Sequence, residues 1–289
     1  MKRKSYFLYL ILLLFWSCNE RFDNVKVLDV EERFVVESFI SNIDSFTVTL
    51  TKTTNFPSAD DVPKISGASV KIINDLADTV ILTESFVGSG TYGSSNIGVV
   101  GRSYKLSISI GSVTYESPFI EMFNQVTIDA LFVRQDPDQN NEYFAFACFE
   151  DDINSRDFYI WFYDTYKKDD VNGGVDESNT RINFNVFDDR FINGLSTCLD
   201  DSLLIDVNDE TFEPIDTFFV LQKYHINEDA ADYWNQVLVQ TQFVGGPFDV
   251  PPSPIVGNVR NIENENDFML GYFMVGGKDV DTVIVPEIK

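Results

Sequence analysis

Cys18 carries the clearest chemical signal in the sequence, because it follows a hydrophobic run near the start of the chain. Three basic residues lie at positions 2–4, and the apolar segment 6–16 is shorter than the roughly 20 residues that a membrane-spanning helix needs. The small residue Ser17 directly precedes the cysteine, as in the cleavage box of a bacterial lipoprotein. We therefore predict that residues 1–17 are a lipoprotein signal peptide and that the Cys18 thiol is acylated.

Acylation of Cys18 would attach the chain to a membrane without crossing it. Lipid-modified bacterial cysteines carry more than one acyl chain, and each buried methylene contributes about 0.8 kcal/mol to membrane binding. We therefore expect a protein of the cell outer membrane, lipid-anchored through a polar tether over residues 18–29, on either the periplasmic or the surface face. The bulky Phe15 and Trp16 differ from the usual cleavage box, and an uncleaved membrane anchor is the alternative.

The other two cysteines, Cys148 and Cys198, are candidates for a disulfide. Beyond the inner membrane the compartment is oxidising, and closing a loop of about 50 residues stabilises a protein by roughly 4 kcal/mol in the chain-entropy model. The alternative is a pair of separate thiols, because Cys148 lies in the alternating segment AFACFE, where a small buried hydrophobe also fits.

A weak signal for metal binding comes from the segment DPDQNNEYF. Asp136, Asp138 and Asn140 occupy alternate positions, as in a calcium loop, but the glycine at the sixth place and the distant bidentate glutamate are missing. A plain Asp-Pro turn is the alternative. Neither Cys148 nor Cys198 has a C-x-x-C partner, which argues against structural zinc, and no cofactor-binding motif is present.

The sequence contains a single histidine, His225, and no serine or cysteine in a G-x-S-x-G context. We therefore expect His225 to be structural and the protein not to be an enzyme. A hydrolase that uses two carboxylates is a less favoured alternative, because 46 acidic residues neither support nor exclude such a pair. Acidic runs, such as Asp151-Asp152 and Asp188-Asp189, are interpreted as solvated loops.

Aromatic side chains are the candidates for ligand contact. In the segment DFYIWFYD, both sets of alternating residues are apolar or aromatic. This pattern predicts a strand that is covered on both sides or one that presents an aromatic face to a ligand, and the buried interpretation is the more favoured. The candidate ligand contacts are Tyr159, Trp161, Tyr163, Phe248 and Tyr272.

The elements that position these residues are mainly strands. Segment 45–54 alternates apolar and polar residues, and YKLSISIGSVTY repeats the pattern around Gly111, the glycine that a tight hairpin turn needs. Several short strands with no helical period predict an antiparallel β-sandwich of the immunoglobulin or transthyretin type over residues 30–124.

Residues 125–289 are predicted to form a second, aromatic-rich β domain with one packed α-helix. The helix is expected near residues 227–242, because Asn227 is a good N-cap and acidic residues follow it in the first turn. Apolar residues spaced by three and four positions give this helix one face that packs on a sheet.

The chain is strongly acidic, with 21 basic and 46 acidic residues and a net charge of −25. Lysine and arginine do not cluster, so the counterion release that drives binding to phosphate backbones is missing, and nucleic acid is excluded as a partner. An aromatic content of 14% is too high for a disordered chain and provides for a sizeable core.

Short motifs along the chain resemble a known family. They are Val35-Val36-Glu37, Gly67-Ala68-Ser69-Val70, Gly90-Thr91-Tyr92, the segment 98–106, Pro251-Pro252, Gly257-Asn258-Val259 and Leu270-Gly271-Tyr272-Phe273. In order and spacing they resemble the lipoproteins of the Bacteroidota that are grouped as domain of unknown function 4249. The resemblance implies a cell-envelope lipoprotein, commonly encoded beside a TonB-dependent outer-membrane transporter, and it brings no catalytic residues.

From these observations we expect a non-enzymatic outer-membrane lipoprotein that captures a ligand or acts as an accessory partner of a TonB-dependent transporter. The N-terminal lipid provides contact with the membrane, and the barrel of the transporter is the expected protein partner. The alternative is a structural or adhesive surface protein, in which the sandwich spaces a partner-binding domain from the membrane.

Overall fold

Strands dominate the structure, a computed structural model that describes residues 32–54, 62–135, 142–167, 183–199, 204–206, 217–242 and 254–285. The first eight strands are β1 (Phe34–Ile40), β2 (Thr47–Lys52), β3 (Ser69–Asn74), β4 (Thr79–Glu84), β5 (Thr91–Gly93), β6 (Ser103–Ile110), β7 (Val113–Glu116) and β8 (Ile120–Glu121). The next seven are β9 (Ala130–Gln135), β10 (Glu142–Glu150), β11 (Phe158–Lys167), β12 (Asn183–Asp188), β13 (Ser196–Leu199), β14 (Leu204–Asp206) and β15 (Thr217–Ile226). The helix α1 (Glu228–Gln242) follows, and then β16 (Arg260–Asn261), β17 (Leu270–Val275) and β18 (Gly277–Ile284).

The described strands form three sheets, of which the largest has ten strands in the order β16-β7-β6-β3-β4-β5-β2-β1-β17, with β8 beside β6. The first part of β4 pairs with β3 and its end pairs with β5, so this sheet curls into a half-barrel around one apolar core. A second sheet has the order β13-β10-β14 with β9 beside β10, and a third has the order β12-β11-β15-β18. The protein is therefore mainly β, as the sequence predicts.

Alternation of apolar and polar residues accounts for the strands of the large sheet. In β2, Val48 and Leu50 are fully buried while Thr47 is exposed, which is the pattern that the sequence predicts. The hairpin from β6 to β7 turns at Gly111, whose φ of 61° lies in the left-handed region that glycine adopts without strain. Local sequence is thus sufficient to define these strands and this turn.

The C-terminal part of the chain completes the first sheet. β17 runs parallel to β1, from Val35 opposite Leu270 to Ile40 opposite Val275, and β16 pairs with β7. The boundary predicted between residues 124 and 125 therefore does not separate the sheets. Pairing between segments so far apart in the chain leaves no local period in the sequence, which explains the difference.

The helix closes an aromatic core between the sheets. The Asn227 side-chain oxygen accepts a hydrogen bond from the Ala230 N–H at 3.1 Å, so Asn227 is the N-cap, as predicted. The Trp234 ring packs 5.2 Å from that of Phe184 and 5.6 Å from that of Phe39, measured between ring centroids. No helix among the described residues has the length and apolar character needed to cross a membrane.

Candidate functional site

A cleft of about 310 Å³ opens where the loop between β10 and β11 meets the N-terminus of α1. We call it the His225 cleft. Its lining residues come from three segments of the chain, and they are Phe123, Asn124, Val126, Asp152, Ser155, Arg156, Asp157, Phe158, His225, Ile226, Asn227 and Glu228. A volume of this size is at the lower end of the range for small-molecule sites, roughly 300 to 1,000 Å³.

Both ring nitrogens of His225 are held by the protein. Nδ1 lies 2.9 Å from the Asn124 carbonyl oxygen, and Nε2 lies 3.1 Å from Oδ1 of Asp157. Because a carbonyl oxygen can only accept, Nδ1 carries a hydrogen and donates it. The ring also stacks on Phe123, with 4.9 Å between the ring centroids. His225 is therefore a fixed part of the cleft wall.

The order in which the polar side chains at the cleft are hydrogen-bonded differs from that of a catalytic triad. The Ser155 hydroxyl donates to Oδ2 of Asp157 at 2.8 Å, and Oδ1 of the same carboxylate contacts His225. In a triad the histidine lies between the nucleophile and the acid, so that the imidazole takes the proton of the nucleophile. Here the carboxylate lies in the middle, and the Ser155 hydroxyl is directed to it rather than to a base.

The outer rim of the cleft carries opposite charges. The Arg156 guanidinium lies 3.1 Å from Oε1 of Glu228 and 3.7 Å from Oδ2 of Asp188, and its side chain is 52% exposed. It also covers the ring of Phe158, 4.8 Å from the centroid. A ligand in the cleft therefore meets an accessible guanidinium next to an aromatic ring.

Behind the cleft lies a cluster of three buried carboxylates, Asp151, Asp157 and Asp189, which we call the acid cluster. Their exposed fractions are 4%, 4% and 1%, and one oxygen from each lies within 4.8 Å of the others. Asp151 directly follows β10, Asp157 directly precedes β11 and Asp189 directly follows β12. The cluster thus connects the β10–β11 loop to the β12–β13 loop.

Hydrogen bonds satisfy most of the oxygens in the acid cluster. Asp151 accepts the Tyr159 hydroxyl at 2.6 Å and the Gly194 N–H at 3.1 Å. Oδ2 of Asp189 accepts the N–H of Asp157 at 2.9 Å. Oδ1 of Asp189 is buried and has no hydrogen-bond partner among the described residues.

The pKa of Asp189 is raised above its ordinary value. Burial is the main cause, because it penalises the charged form, and the negative charges of Asp151, Asp157 and Asp188 act in the same direction. The backbone N–H of Asp157 opposes this shift by stabilising the carboxylate. An unpaired oxygen therefore faces repulsion that a proton or a cation would relieve.

Lys223 adds a buried positive charge on the neighbouring strand, β15. Its ammonium lies 3.4 Å from the ring centroid of Phe149 and 5.0 Å from that of Tyr159, and it has no hydrogen-bond partner among the described residues. Burial lowers the pKa of Lys223 to about 7, against the opposing influence of Asp279, Asp129 and Asp151. A cation–π contact thus replaces the hydrogen bonds that an exposed lysine makes to water.

The structure does not bring the predicted ligand contacts to one surface. Tyr159 and Trp161 are buried in one core, Tyr163 packs against the same core, and Tyr272 is buried in another core beside the helix. This differs from the ligand-contact prediction and agrees with the buried interpretation. The physical reason is that β11 lies between β12 and β15 with a core on each face, so most of both faces is covered by protein.

Of the other predicted site residues, the two disulfide candidates lie in the described part of the chain and the rest lie outside it. Cys148 and Cys198 face each other across β10 and β13 and form a disulfide. Several others lie outside the described residues, and they are Cys18 with the signal peptide and the tether, the weak calcium candidates Asp136, Asp138 and Asn140, and the candidate contact Phe248.

The acid cluster was missed by the sequence interpretation. The runs at Asp151 and Asp189 were expected to be solvated loops, but both side chains are buried. The signal that was present is position: each acid stands at the end of an aromatic strand, where the chain leaves the sheet beside the core. Which loops then meet is a property of the tertiary structure and not of the local sequence.

Comparison with known proteins identifies the family but not an activity. No curated protein matches the chain. Among solved structures, a DUF4785 family protein from Legionella pneumophila is 10% identical, with a TM-score of 0.26, over 66% of this chain and 52% of that protein, about half its length. A segment of two fibronectin type III domains from chicken tenascin is 13% identical, with a TM-score of 0.21, over 68% of this chain and 91% of that one. The family model for a domain of unknown function, DUF4249, matches residues 23–281, and the chain therefore belongs to this family.

Proposed function

We propose that this protein is a non-enzymatic lipoprotein of the outer membrane in the Bacteroidota, which captures a small ligand in the His225 cleft as the accessory partner of a TonB-dependent transporter. The observation that carries the proposal is the chemistry of the cleft. Phe123 and Phe158 provide aromatic surface, and Arg156 and Glu228 offer exposed charges at the rim. Sites for small molecules combine apolar walls with a few fixed polar groups in this way.

The arrangement of His225 supports binding rather than catalysis. One ring nitrogen donates to a backbone carbonyl and the other contacts Asp157, so no nitrogen is directed to the Ser155 hydroxyl. A base that activates a nucleophile has to lie within hydrogen-bond reach of it. The same contacts hold the imidazole and the Asp157 carboxylate rigidly in the cleft wall, which reduces the entropy lost when a ligand binds.

The membrane assignment is supported by the sequence around Cys18 and by the resemblance to envelope lipoproteins. Mass spectrometry of the full chain isolated from its native membrane tests it directly. We expect a mature protein that begins at Cys18 with acyl chains on the thiol and on the new N-terminus. Recovery of an unmodified Cys18 with residue Met1 still attached would exclude the lipid anchor.

The partner and the ligand are tested by affinity isolation of the full chain from membranes, with the Arg156→Gln variant and the matched control Arg190→Gln. Both arginines contact Asp188, but only Arg156 lines the cleft. We expect the barrel of the transporter to be isolated with the wild type and with both variants. Small molecules released on denaturation should fall about tenfold for Arg156→Gln and should not change for Arg190→Gln, because a charge-assisted hydrogen bond contributes roughly 1.5 to 3 kcal/mol.

Two results would contradict the proposal. Isolation of the wild-type protein without any barrel would remove the transporter as a partner. Equal recovery of small molecules from the Arg156→Gln and Arg190→Gln variants would show that the cleft does not bind them.

A structural or adhesive role is the second candidate function. It is favoured by exposed apolar side chains on the two loops that the acid cluster connects: Ile153 is 71% exposed, Phe191 is 90% exposed and Leu195 is 54% exposed. Exposed apolar groups close together are typical of protein contact surfaces. Replacement of Phe191 by Ser should weaken binding to a macromolecular partner without affecting small molecules in the cleft.

We also propose a finer architecture for the first sheet. Its single core is enclosed by strands from both ends of the curled sheet, which is consistent with a sandwich of the immunoglobulin or transthyretin type. In this interpretation β4 passes from one layer to the other. An experimental structure in which the sheet closes as a barrel, without two facing layers, would contradict it.

A further inference from the structure

We propose that the acid cluster of Asp151, Asp157 and Asp189 binds a calcium ion, which locks the β10–β11 loop to the β12–β13 loop. This site is distinct from the calcium loop that the sequence weakly indicates near Asp136, and it does not depend on the ligand proposed for the His225 cleft. The first observation is the convergence of three buried carboxylates, whose ligand atoms lie within 4.8 Å of one another.

A second observation is the buried oxygen of Asp189. Asp189 is 1% exposed and belongs to the cluster, yet its Oδ1 has no hydrogen-bond partner among the described residues. A buried acceptor without a partner loses the free energy of its hydration, and the loss is larger for a charged group than for a neutral one. An ion between the carboxylates would supply that missing interaction and would also offset their mutual repulsion.

The ligand chemistry selects a hard cation. All three side chains offer oxygen, which calcium and magnesium prefer, whereas zinc prefers nitrogen and sulfur. Calcium–oxygen distances of about 2.3 to 2.6 Å place opposite ligands up to roughly 5 Å apart, while magnesium at about 2.0 to 2.1 Å allows only roughly 4.2 Å. The oxygens of the acid cluster lie within 4.8 Å of one another, which is inside the span that calcium ligands can occupy. Calcium also accepts irregular geometry, whereas magnesium demands a nearly octahedral site and gives up its water ligands reluctantly.

An entry route and a structural consequence follow from the position of the cluster. Asp157 also lines the His225 cleft, so an ion can reach the carboxylates from that side. Two hydrogen bonds already join the loops. The Gly194 N–H donates to the Asp151 carboxylate, and the Asn193 side chain donates to the Ser155 carbonyl. A bound ion would add to these contacts and stiffen the wall of the cleft.

Thermal unfolding of the full chain tests the site, with calcium alone and magnesium alone added to protein first stripped of metals with EDTA. We expect a dissociation constant of roughly 0.1 to 1 mM, as in extracellular calcium modules. At calcium concentrations about 100-fold above that constant, Tm should rise by roughly 5 °C or more. Magnesium should give a smaller shift.

The variant Asp189→Asn and its control Asp152→Asn locate the effect. Asp152 lies in the same loop but is exposed, and its carboxylate accepts hydrogen bonds from Asn154. Asp189→Asn should lose the calcium-dependent shift, and Asp152→Asn should keep it. Terbium offers a second readout, because Tyr159 lies against the cluster and should sensitise its emission in the wild type but not in Asp189→Asn.

The absence of a calcium-dependent shift in the wild type would overturn the proposal. A higher Tm for Asp189→Asn than for the wild type in EDTA would then mean that a shared proton and not a cation stabilises the cluster. Equal calcium responses of Asp189→Asn and Asp152→Asn would place the ion elsewhere. If Asp189→Asn does not fold, Asp151→Asn is measured in the same way, and an unchanged calcium shift in that variant would also overturn the proposal.

Discussion

At the scale of single residues, the charges buried behind the cleft are the features that local sequence describes least well. Lys223 is the one Lys, Arg, Asp or Glu residue in β15, and its ammonium faces the Phe149 ring at 3.4 Å. Burying a charge without hydrogen bonds disfavours the folded state unless other contacts offset it. Nearby carboxylates, including Asp279 and Asp129, provide part of that compensation.

Replacing Lys223 by Met should stabilise the protein, and the gain should depend on pH. The ordinary lysine pKa is 10.5, and burial lowers the pKa of Lys223 to about 7, so between these values the unfolded chain binds more protons than the folded one. The wild-type free energy of unfolding should therefore rise with pH across that window, and the penalty should be complete below its lower limit. Lys223→Met should gain about 1 to 4 kcal/mol at pH 6 and much less near pH 10.

Urea denaturation at several pH values measures this difference. The matched control is Lys278→Met, because Lys278 is also buried but its ammonium pairs with Oδ2 of Asp44 at 2.8 Å. That variant should be less stable than the wild type, since it removes a partner from a carboxylate. A destabilised Lys223→Met at pH 6 would contradict the assigned burial penalty.

At the scale of elements, α1 shows how local capping and distant packing combine. Asn227 caps the N-terminus of the helix by accepting a backbone hydrogen bond, and Glu228 and Asp229 complement the positive end of the helix dipole. The apolar face then covers aromatic residues from four strands, β1, β11, β12 and β17, which supply the surface that the helix packs against. The cap defines where the helix begins, and the sheets define its orientation.

Asn227→Ala should lower the free energy of unfolding by about 1 kcal/mol, because it removes the side-chain acceptor for the Ala230 N–H. Gln236→Ala is the control, since Gln236 is exposed on the same helix and donates a hydrogen bond to the Asp232 carbonyl within that helix. Chemical denaturation should show almost no change for that control. Equal effects of the two substitutions would show that capping does not contribute.

At the scale of the whole molecule, the pairing of β1 with β17 joins the two ends of the described chain. Gly271 makes this pairing possible: its φ is 80°, and a Cβ at this position would lie 2.0 Å from the Val36 carbonyl oxygen. Any larger residue would have to separate the two strands. Ser38 and Val36, on the partner strand, are almost completely buried, so the sheet has little freedom to move.

Gly271→Ala should therefore destabilise the protein by about 3 kcal/mol or more, since steric overlap adds to the strain of a positive φ. Gly111→Ala is the matched control: its φ is 61°, but no atom lies within 4 Å of the position of its Cβ. The control should lose only about 1 to 2 kcal/mol, which is the backbone strain alone. Thermal or urea unfolding measures both, and similar losses would contradict the close approach of β17 to β1.

The sequence by itself determined the features that depend on neighbouring residues. The alternation of Val48 and Leu50, the turn at Gly111 and the cap at Asn227 could all be predicted, because each is decided by interactions within a few positions. Only the tertiary structure decided that β17 joins the first sheet and that Asp151, Asp157 and Asp189 meet in a buried cluster. Those contacts join loops and strands that are distant in the chain, so the local sequence does not specify which of them meet.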